Sequence, residues 1–225
     1  MRHLLIGVLV LLLAGCAKQA ETTAAEPKTD EQKTLYAIGV ALSQQLQAFG
    51  LSEQELQYVN AGLADGALQR PSKVDMKTYG PKIKELAQER VASVVKRQTE
   101  ASKAFIEKAA SEPGAIKTES GAIVIPIKQG SGATPKADDT VTVHYKGTLT
   151  DGTVFDSSMD RGEPVTIPLN GVIKCWTEGV QKIKVGGKAK LVCPADVAYG
   201  NRGAPPNIKP GATLVFEVEL LDIVK

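Results

Sequence analysis

Residues 141–149 read VTVHYKGTL and run into Asp151-Gly152, and this stretch decides the fold. Apolar and polar side chains alternate as in a half-buried β-strand, and Asp-Gly is a strong hairpin signal. Four further runs have the pattern of strands: 123–128, 165–169, 188–193 and 213–223. Pro126 indicates that the first of them lies at an edge or carries a bulge. With one helix of about two turns between residues 172 and 183, residues 115–225 predict an antiparallel sheet wrapped around a short helix.

Residues 29–114 have the periodicity of helices instead. Capping-box pairs, Thr29 with Gln32 and Ser52 with Glu55, predict two short helices. Gly50 ends the first helix, and a proline at position 71 ends the second.

A third, long helix is expected from about Asp75 to about Ala110, with a kink or a restart at Gly80-Pro81. The apolar residues of this helix form only a narrow stripe. This pattern favours a helical segment that forms a dimer and continues as a connecting rod; the alternative is a spacer rod that is exposed to solvent. The breaker run 112–114 (Glu-Pro-Gly) marks the domain boundary. The predicted fold class is therefore α+β, with a helical dimerisation segment and a connecting helix before the β domain.

The first residues have the pattern of an export signal. A basic start precedes the apolar run 4–13, which is too short to span a bilayer and fits a signal peptide over residues 1–15. The following Leu-Ala-Gly-Cys16 resembles the lipobox of bacterial lipoproteins, which implies cleavage before Cys16 and lipidation of its thiol. Ala17 after the cysteine indicates the outer membrane by the lipoprotein sorting rule. Residues 16–28 then form a flexible tether.

Composition excludes several functions. Lys and Arg number 27 against 25 Asp and Glu, so the net charge of +2 gives no electrostatic reason to expect nucleic-acid binding. Three cysteines without a Cys-x-x-Cys pair and two histidines do not form a zinc site of the usual spacing. Neither a metal nor a cofactor is expected.

Five aromatic residues fall in the β domain. From the residues alone they either fill its core, which is the default, or line an apolar pocket. The set is Tyr145, Phe155, Trp176, Tyr199 and Phe216.

Three stretches resemble the FKBP-type peptidyl-prolyl isomerases over residues 121–225. They are VHYKGTLTDGTVFDSS, GVIKCWTEGVQKIKVGGKAKL, and AYG with ATLVFEVELLDI. The helical segment beginning YAIGVALSQQL is similar to the N-terminal domain of the macrophage infectivity potentiator group. The resemblance implies a half-barrel of antiparallel strands around a short helix, and a homodimer formed through the N-terminal helices.

The resemblance also implies the site. All five aromatics fall on positions of the proline pocket, and Asp156 stands beside it, which gives the expected catalytic set Tyr145, Phe155, Asp156, Trp176, Tyr199 and Phe216. The expected substrate-binding residues are Arg161, Val165, Val172, Ile173 and Ile208. Three positions depart from the family pattern and bear on substrate preference: Val165 in place of a common phenylalanine, the flap 204–207, and Cys175 in place of a frequent glycine.

The implied mechanism uses neither a nucleophile nor a general base. The Tyr199 hydroxyl and the Ile173 N–H are expected to bind substrate carbonyls. His144 is not expected to act as a base, because neighbouring strand residues point to opposite faces. Cys175 and Cys193 are either a disulfide or two buried free thiols, and the sequence leaves both open.

The expected function is therefore prolyl isomerisation of exported proteins in the bacterial envelope, with accompanying chaperone activity. The alternative is a module that binds proline-containing segments without turnover. Expected partners are unfolded or exported proline-containing proteins, a second copy of the chain, the membrane through the anchor at Cys16, and the macrolide inhibitors of the family.

Overall fold

The structure is a computed structural model that describes residues 26–224. The predicted signal peptide and Cys16 lie outside the described residues. The chain divides into two compact units after Ala41.

The N-terminal part is helical, as expected. Helix α1 spans Asp30–Ser43, a 3₁₀ segment follows at Gln44–Phe49, and α2 spans Glu53–Ala67. Both predicted capping boxes form, and Gly50 ends the 3₁₀ segment with a left-handed φ of 53°. No residue of α1, the 3₁₀ segment or α2 is buried.

Helix α3 is continuous over Met76–Ala110, so the restart considered at Gly80-Pro81 does not occur. Pro81 removes one backbone hydrogen bond, that to the Lys77 carbonyl, near the N-terminus of the helix. At 35 residues and about 1.5 Å per residue, α3 is about 52 Å long. Within residues 26–224, no helix has the length and apolarity needed to cross a membrane.

The C-terminal part is a seven-stranded antiparallel sheet. Its strands are β1 (Ile116–Lys117), β2 (Ile123–Lys128), β3 (Thr140–Leu149), β4 (Val154–Ser157), β5 (Val165–Pro168), β6 (Lys188–Cys193) and β7 (Leu214–Val224). The order is β1-β2-β6-β7-β3-β4, and β5 also pairs with β3. Two short helices complete it, α4 (Ser158–Arg161) and α5 (Lys174–Val180).

The predicted strands form within a residue of their expected ends, and the FKBP half-barrel fold is confirmed. The register shifts next to Pro126, which is the predicted bulge. Strands β1 and β4 and helix α4 were not predicted, because each has at most four residues and no period can develop.

The sheet has a core on each face. On one face α5 packs through Trp176 and Val180 against β3, β6 and β7. On the other, the last turns of α3 pack through Phe105 and Ala109 on β2 and β6. The first three residues of β2 are buried between these two cores, which explains the unbroken apolar start of the strand.

Cys175 in α5 and Cys193 at the end of β6 form a disulfide, with Cα atoms 5.6 Å apart. The structure thereby decides between the two alternatives left by the sequence. Both residues are fully buried, so the bridge ties α5 to the sheet inside the core.

Candidate functional site

A cavity of about 380 Å³ opens on the α5 side of the sheet. Its walls are formed by strands β3, β4, β5 and β7, by the start of α5, and by Tyr199 in the connection between β6 and β7. Its lining is apolar apart from the Asp156 carboxylate and the hydroxyl groups of Tyr145 and Tyr199. The lining residues are Tyr145, Phe155, Asp156, Val165, Ile167, Gly171, Val172, Ile173, Trp176, Tyr199 and Phe216.

Four of the aromatic rings pack edge to face. The Trp176 ring lies 5.2 Å from Tyr145 and 5.3 Å from Phe216, and Phe155 lies 5.5 Å from Phe216, with interplanar angles of 87–89°. This geometry is favourable for aromatic quadrupoles, so each ring holds the next in place. Trp176 is 4% exposed and forms the floor.

The rings fit because β3 carries a glycine opposite them. Gly147 pairs with Phe216 across the β3–β7 ladder. A Cβ atom on Gly147 would lie 2.6 Å from the Phe155 ring and 3.0 Å from the Phe216 ring. The absence of a side chain at Gly147 therefore lets Phe155 lie over the strand.

Asp156 links two neighbours at the cavity edge. Its carboxylate accepts hydrogen bonds from the Tyr145 hydroxyl and from the Arg161 guanidinium. Partial burial raises the pKa of Asp156, but these hydrogen bonds and the Arg161 charge outweigh it, so the pKa lies below its ordinary value. Burial, with the hydrogen bond to Asp156, raises the pKa of Tyr145. At neutral pH Tyr145 is a phenol that donates, and Asp156 a carboxylate that accepts.

Ser158 holds the backbone of Tyr145 from behind. Its hydroxyl accepts from the Tyr145 N–H at 2.8 Å, and it also lies 3.2 Å from the Tyr145 carbonyl and 3.0 Å from His144 Nδ1. His144 is thus a bonded, partly exposed residue outside the cavity, as expected. Sequence reasoning missed Ser158, whose only signal is its position directly after the Phe-Asp-Ser run.

Three donors at the cavity have no acceptor among residues 26–224, and one of them, the indole N–H of Trp176, is buried. The Tyr199 hydroxyl makes no hydrogen bond to the described chain, and neither does the Ile173 N–H at the N-cap of α5. Both are free to bind a carbonyl of a bound peptide, which is the role the sequence resemblance implies.

Most predicted site residues come together. All six of the expected catalytic set line the cavity, and so do Val165, Val172 and Ile173. Arg161 lies behind Asp156, outside the lining. Ile208 does not line this cavity: it is 5% exposed and paired with Ala204 in an isolated bridge, so its expected contact with substrate is not supported.

Two lining residues were missed, Ile167 and Gly171. Ile167 could have been found, since it lies two residues from Val165 on one strand and therefore on the same face. Within residues 26–224, no three His, Cys, Asp or Glu side chains form a group able to hold a metal ion. The arrangement is suited to holding a small apolar ring and its flanking amides.

Family models match both parts of the chain. Residues 131–221 match the FKBP-type peptidyl-prolyl cis-trans isomerase domain, and residues 31–123 match the domain amino terminal to FKBP-type peptidyl-prolyl isomerase.

Relatives align over most of the length. The FKBP-type isomerase FkpA of Aeromonas hydrophila is 41% identical, over 94% of this chain and 83% of the relative. The FKBP-type 22 kDa isomerase of Escherichia coli K12 is 42% identical, over 87% and 97%. The crystal structure of FkpA from Escherichia coli superimposes with a TM-score of 0.63 at 37% identity, covering 88% of this chain and 98% of that one.

Proposed function

Since the chain belongs to the FKBP-type peptidyl-prolyl cis-trans isomerases and catalyses rotation about X–Pro bonds, we propose that the aromatic cavity is its catalytic site. The catalytic residues are Tyr145, Phe155, Asp156, Trp176, Tyr199 and Phe216. Val165, Val172 and Ile173 complete the substrate contacts, and Arg161 positions Asp156.

The cavity lowers the barrier by binding the twisted amide better than the planar one. Rotation about an X–Pro bond costs about 18–20 kcal/mol and takes tens to hundreds of seconds unaided. The planar amide is the more polar form, because resonance is lost on twisting. Apolar walls disfavour the planar form, and each tenfold in rate needs only about 1.4 kcal/mol of such differential binding.

The edge-to-face packing of Phe155, Phe216 and Trp176 along the wall of the 380 Å³ cavity is the observation that supports this site. The test is cis-to-trans exchange of a short X–Pro peptide, with Phe155→Ala and Asp156→Ala beside wild type. We expect kcat/KM to fall about tenfold or more for Phe155→Ala, and to be unchanged for Val154→Ala, an exposed neighbour on β4. Full activity in Phe155→Ala would place catalysis elsewhere. Folded wild-type protein that does not accelerate the exchange would indicate a module that binds proline-containing segments without turnover.

We further propose that the chain forms a homodimer through its N-terminal helices. The apolar side chains of α1 and α2 are exposed, for example Leu35 at 60%, Ile38 at 53% and Leu63 at 51%. Burying a fully exposed side chain of this size contributes about 1.5–3 kcal/mol, so covering each of these half-exposed ones contributes about half of that. Sedimentation of residues 17–225 at micromolar concentration should give a dimer, and Leu35→Asp with Ile38→Asp a monomer, while Lys33→Asp remains dimeric. A monomeric wild type would refute the proposal.

Apolar side chains that are exposed on α3, for example Ile83 at 50% and Leu86 at 41%, support binding of unfolded, exported client proteins. The protein should then suppress aggregation of a denatured client even when Phe155→Ala has removed isomerase activity. Loss of both activities together in that folded variant would show that the aromatic cavity accounts for both.

A bacterial envelope location with a lipid anchor in the outer membrane is proposed from the sequence alone. The apolar run 4–13 followed by Leu-Ala-Gly-Cys16 supports it. Metabolic labelling with palmitate should mark wild type and not Cys16→Ser, and fractionation should place the label in the outer membrane. Unlabelled, soluble wild-type protein would contradict the anchor.

A further inference from the structure

A second groove lies beside the proposed catalytic cavity, between α3, the 3₁₀ segment and the flap. We define the flap as residues 200–211. The groove encloses about 520 Å³, and a smaller cavity of about 280 Å³ continues it along α3, sharing Val91 and Asn201. We propose that this groove binds an extended, acidic segment of the client polypeptide whose X–Pro bond occupies the catalytic cavity. The proposal rests on the proposed function and names a client contact outside that cavity.

The flap is held as a rigid two-stemmed loop. The Gly211 N–H donates to the Gly200 carbonyl at 2.9 Å, and Ala204 and Ile208 exchange both backbone hydrogen bonds at 2.9 and 3.0 Å. Arg202 lies between Gly200 and Ala204 on one arm of the flap, and Lys209 lies between Ile208 and Gly211 on the other arm. The flap therefore presents both cations to one side of the same groove.

The other walls are fixed to the flap and to each other. A Cβ atom on Gly211 would lie 2.8 Å from the Val95 Cα, so α3 lies directly against the base of the flap. Arg90 of α3 donates to the Phe49 carbonyl at 2.9 Å and pairs with Glu55, which holds the 3₁₀ segment on α3. The groove is thus formed before any ligand arrives, which lowers the entropic cost of binding.

The positive charge of the groove lining favours an acidic peptide segment as its ligand. No carboxylate lines the groove or its extension, whereas Arg202 and Lys209 do, and neither forms an ion pair within residues 26–224. The Lys209 charge lowers the pKa of Asp151, but it contributes less than the hydrogen bond from the Thr153 N–H does. Both cations are therefore free to pair with carboxylates of a ligand.

The remaining lining suits a polypeptide chain. Side-chain amides both donate and accept, as the backbone of an extended peptide requires, and apolar surface lies between them. The amides are Gln44, Gln47, Gln88 and Asn201, and the apolar residues are Ala48, Val91, Pro205, Pro206, Ile208 and Pro210.

The groove begins where the catalytic cavity ends. Tyr199 lines the cavity and Asn201 lines the groove, two residues apart, so their Cα atoms are at most about 7 Å from each other. An extended segment of eight residues spans up to about 26 Å, which is enough to reach from Tyr199 to the groove residues around Asn201. A single polypeptide can therefore occupy both.

The test compares three peptides that share one X–Pro core: the bare tetrapeptide, and the same core extended by about eight residues that alternate leucine with either glutamate or lysine. Exchange rates are measured by NMR. For wild type we expect the acidic extension to raise kcat/KM about fivefold or more over the lysine extension. R202E/K209E should abolish that advantage while the tetrapeptide rate is unchanged.

The matched control is K136E/K182E, which makes the same change in net charge at two exposed lysines outside the groove. It should retain the advantage. A second variant, Ala48→Trp, fills the groove without changing charge and should also remove the advantage.

An acidic extension that gives no advantage in wild type, or an advantage that K136E/K182E removes equally, would overturn the proposal. So would binding of anionic phospholipid vesicles that depends on Arg202 and Lys209 while neither extended peptide binds, since the groove would then be a lipid site. Absence of tetrapeptide turnover in wild type would instead refute the proposed function. Fluorescence anisotropy of the labelled peptides would then still test the groove.

Discussion

The Tyr145 hydroxyl donates a hydrogen bond to the Asp156 carboxylate, eleven residues along the chain. Tyr145 lies on β3 and Asp156 on β4, so this bond joins the two strands of the hairpin at the mouth of the cavity. Arg161 binds the other carboxylate oxygen and also donates to the Tyr145 oxygen at 3.2 Å. The three side chains form one closed hydrogen-bonded group that fixes the Tyr145 ring against Trp176.

We expect Tyr145→Phe to lower kcat/KM by about three- to tenfold while the protein stays folded. The ring remains, but the bond that orients it is lost, and a hydrogen bond to a charged group contributes about 1.5–3 kcal/mol. Peptide exchange kinetics and far-UV circular dichroism measure the two effects. Tyr58→Phe is the control, since Tyr58 is 74% exposed in α2. Equal activity of Tyr145→Phe and wild type would show that the hydroxyl has no part in orienting the ring.

Gly147→Ala should slow catalysis without changing any polar group. The added methyl would lie 2.6 Å from the Phe155 ring, so Phe155 must move out of the cavity wall. We expect kcat/KM to fall about tenfold and stability to fall by about 1–3 kcal/mol, as for other overpacked sites. Lys146→Ala, the exposed neighbour on the same strand, should change neither. Wild-type kinetics in Gly147→Ala would mean that the position of Phe155 does not limit turnover.

Replacing both Cys175 and Cys193 by alanine should destabilise the protein by about 3 kcal/mol, the value for a bridge that closes a loop of about this length. The bridge spans 18 residues. Alanine is preferred to serine here, because serine would bury a hydroxyl group that has no hydrogen-bond partner. Trp176 is the single tryptophan of the chain, so its fluorescence during urea unfolding reports on the cavity floor next to Cys175.

Reduced wild type should unfold near the midpoint of the double variant. A midpoint that matches oxidised wild type would show that the bridge adds nothing to stability.

Glu55→Gln should lower the stability of the helical segment against unfolding at pH 7 but not at pH 2. Hydrogen bonds from Arg90 and Ser52 lower the pKa of Glu55 from 4.5 to about 2. A carboxylate whose pKa is lower in the folded than in the unfolded protein contributes its full stabilisation at pH values above the unfolded-state pKa. That contribution is lost as the pH falls through the folded-state pKa. The difference in unfolding midpoint between wild type and Glu55→Gln should therefore shrink between pH 4.5 and 2.

Glu53→Gln, in the same first turn of α2, provides the comparison, because Glu53 has no ion pair within the described chain. A pH-independent difference for Glu55→Gln would indicate that shape, and not charge, is what the substitution disturbs.

Periodicity predicted the longer elements because each repeats its pattern several times. The strands at 123–128 and 188–193 are found with the expected ends, and the aromatic positions fall in the cavity that the resemblance implied. The disulfide could not be decided, because the 5.6 Å between its Cα atoms depends on how α5 packs against β6. The burial of Ile208 could not be predicted for a related reason: its position on the flap is local, but its burial is set by the bridge to Ala204.

The packing of α3 on the sheet was also hidden in the sequence. Its buried residues are Ser102 and Ala109, which are small and do not stand out from a solvated helix. The apolar residues that pack against Ala109 belong to β2 and β6, farther along the chain.

That packing changes where the protein can be cut. A fragment beginning at residue 115 would leave Ile123, Ile125 and Val192 without the helix that covers them, and would lose the pairing of Lys190 with Glu112. Such a fragment should expose a hydrophobic patch and aggregate. A fragment that begins before Ser102, inside the helix, should therefore be more stable than one that begins at the loop that follows it.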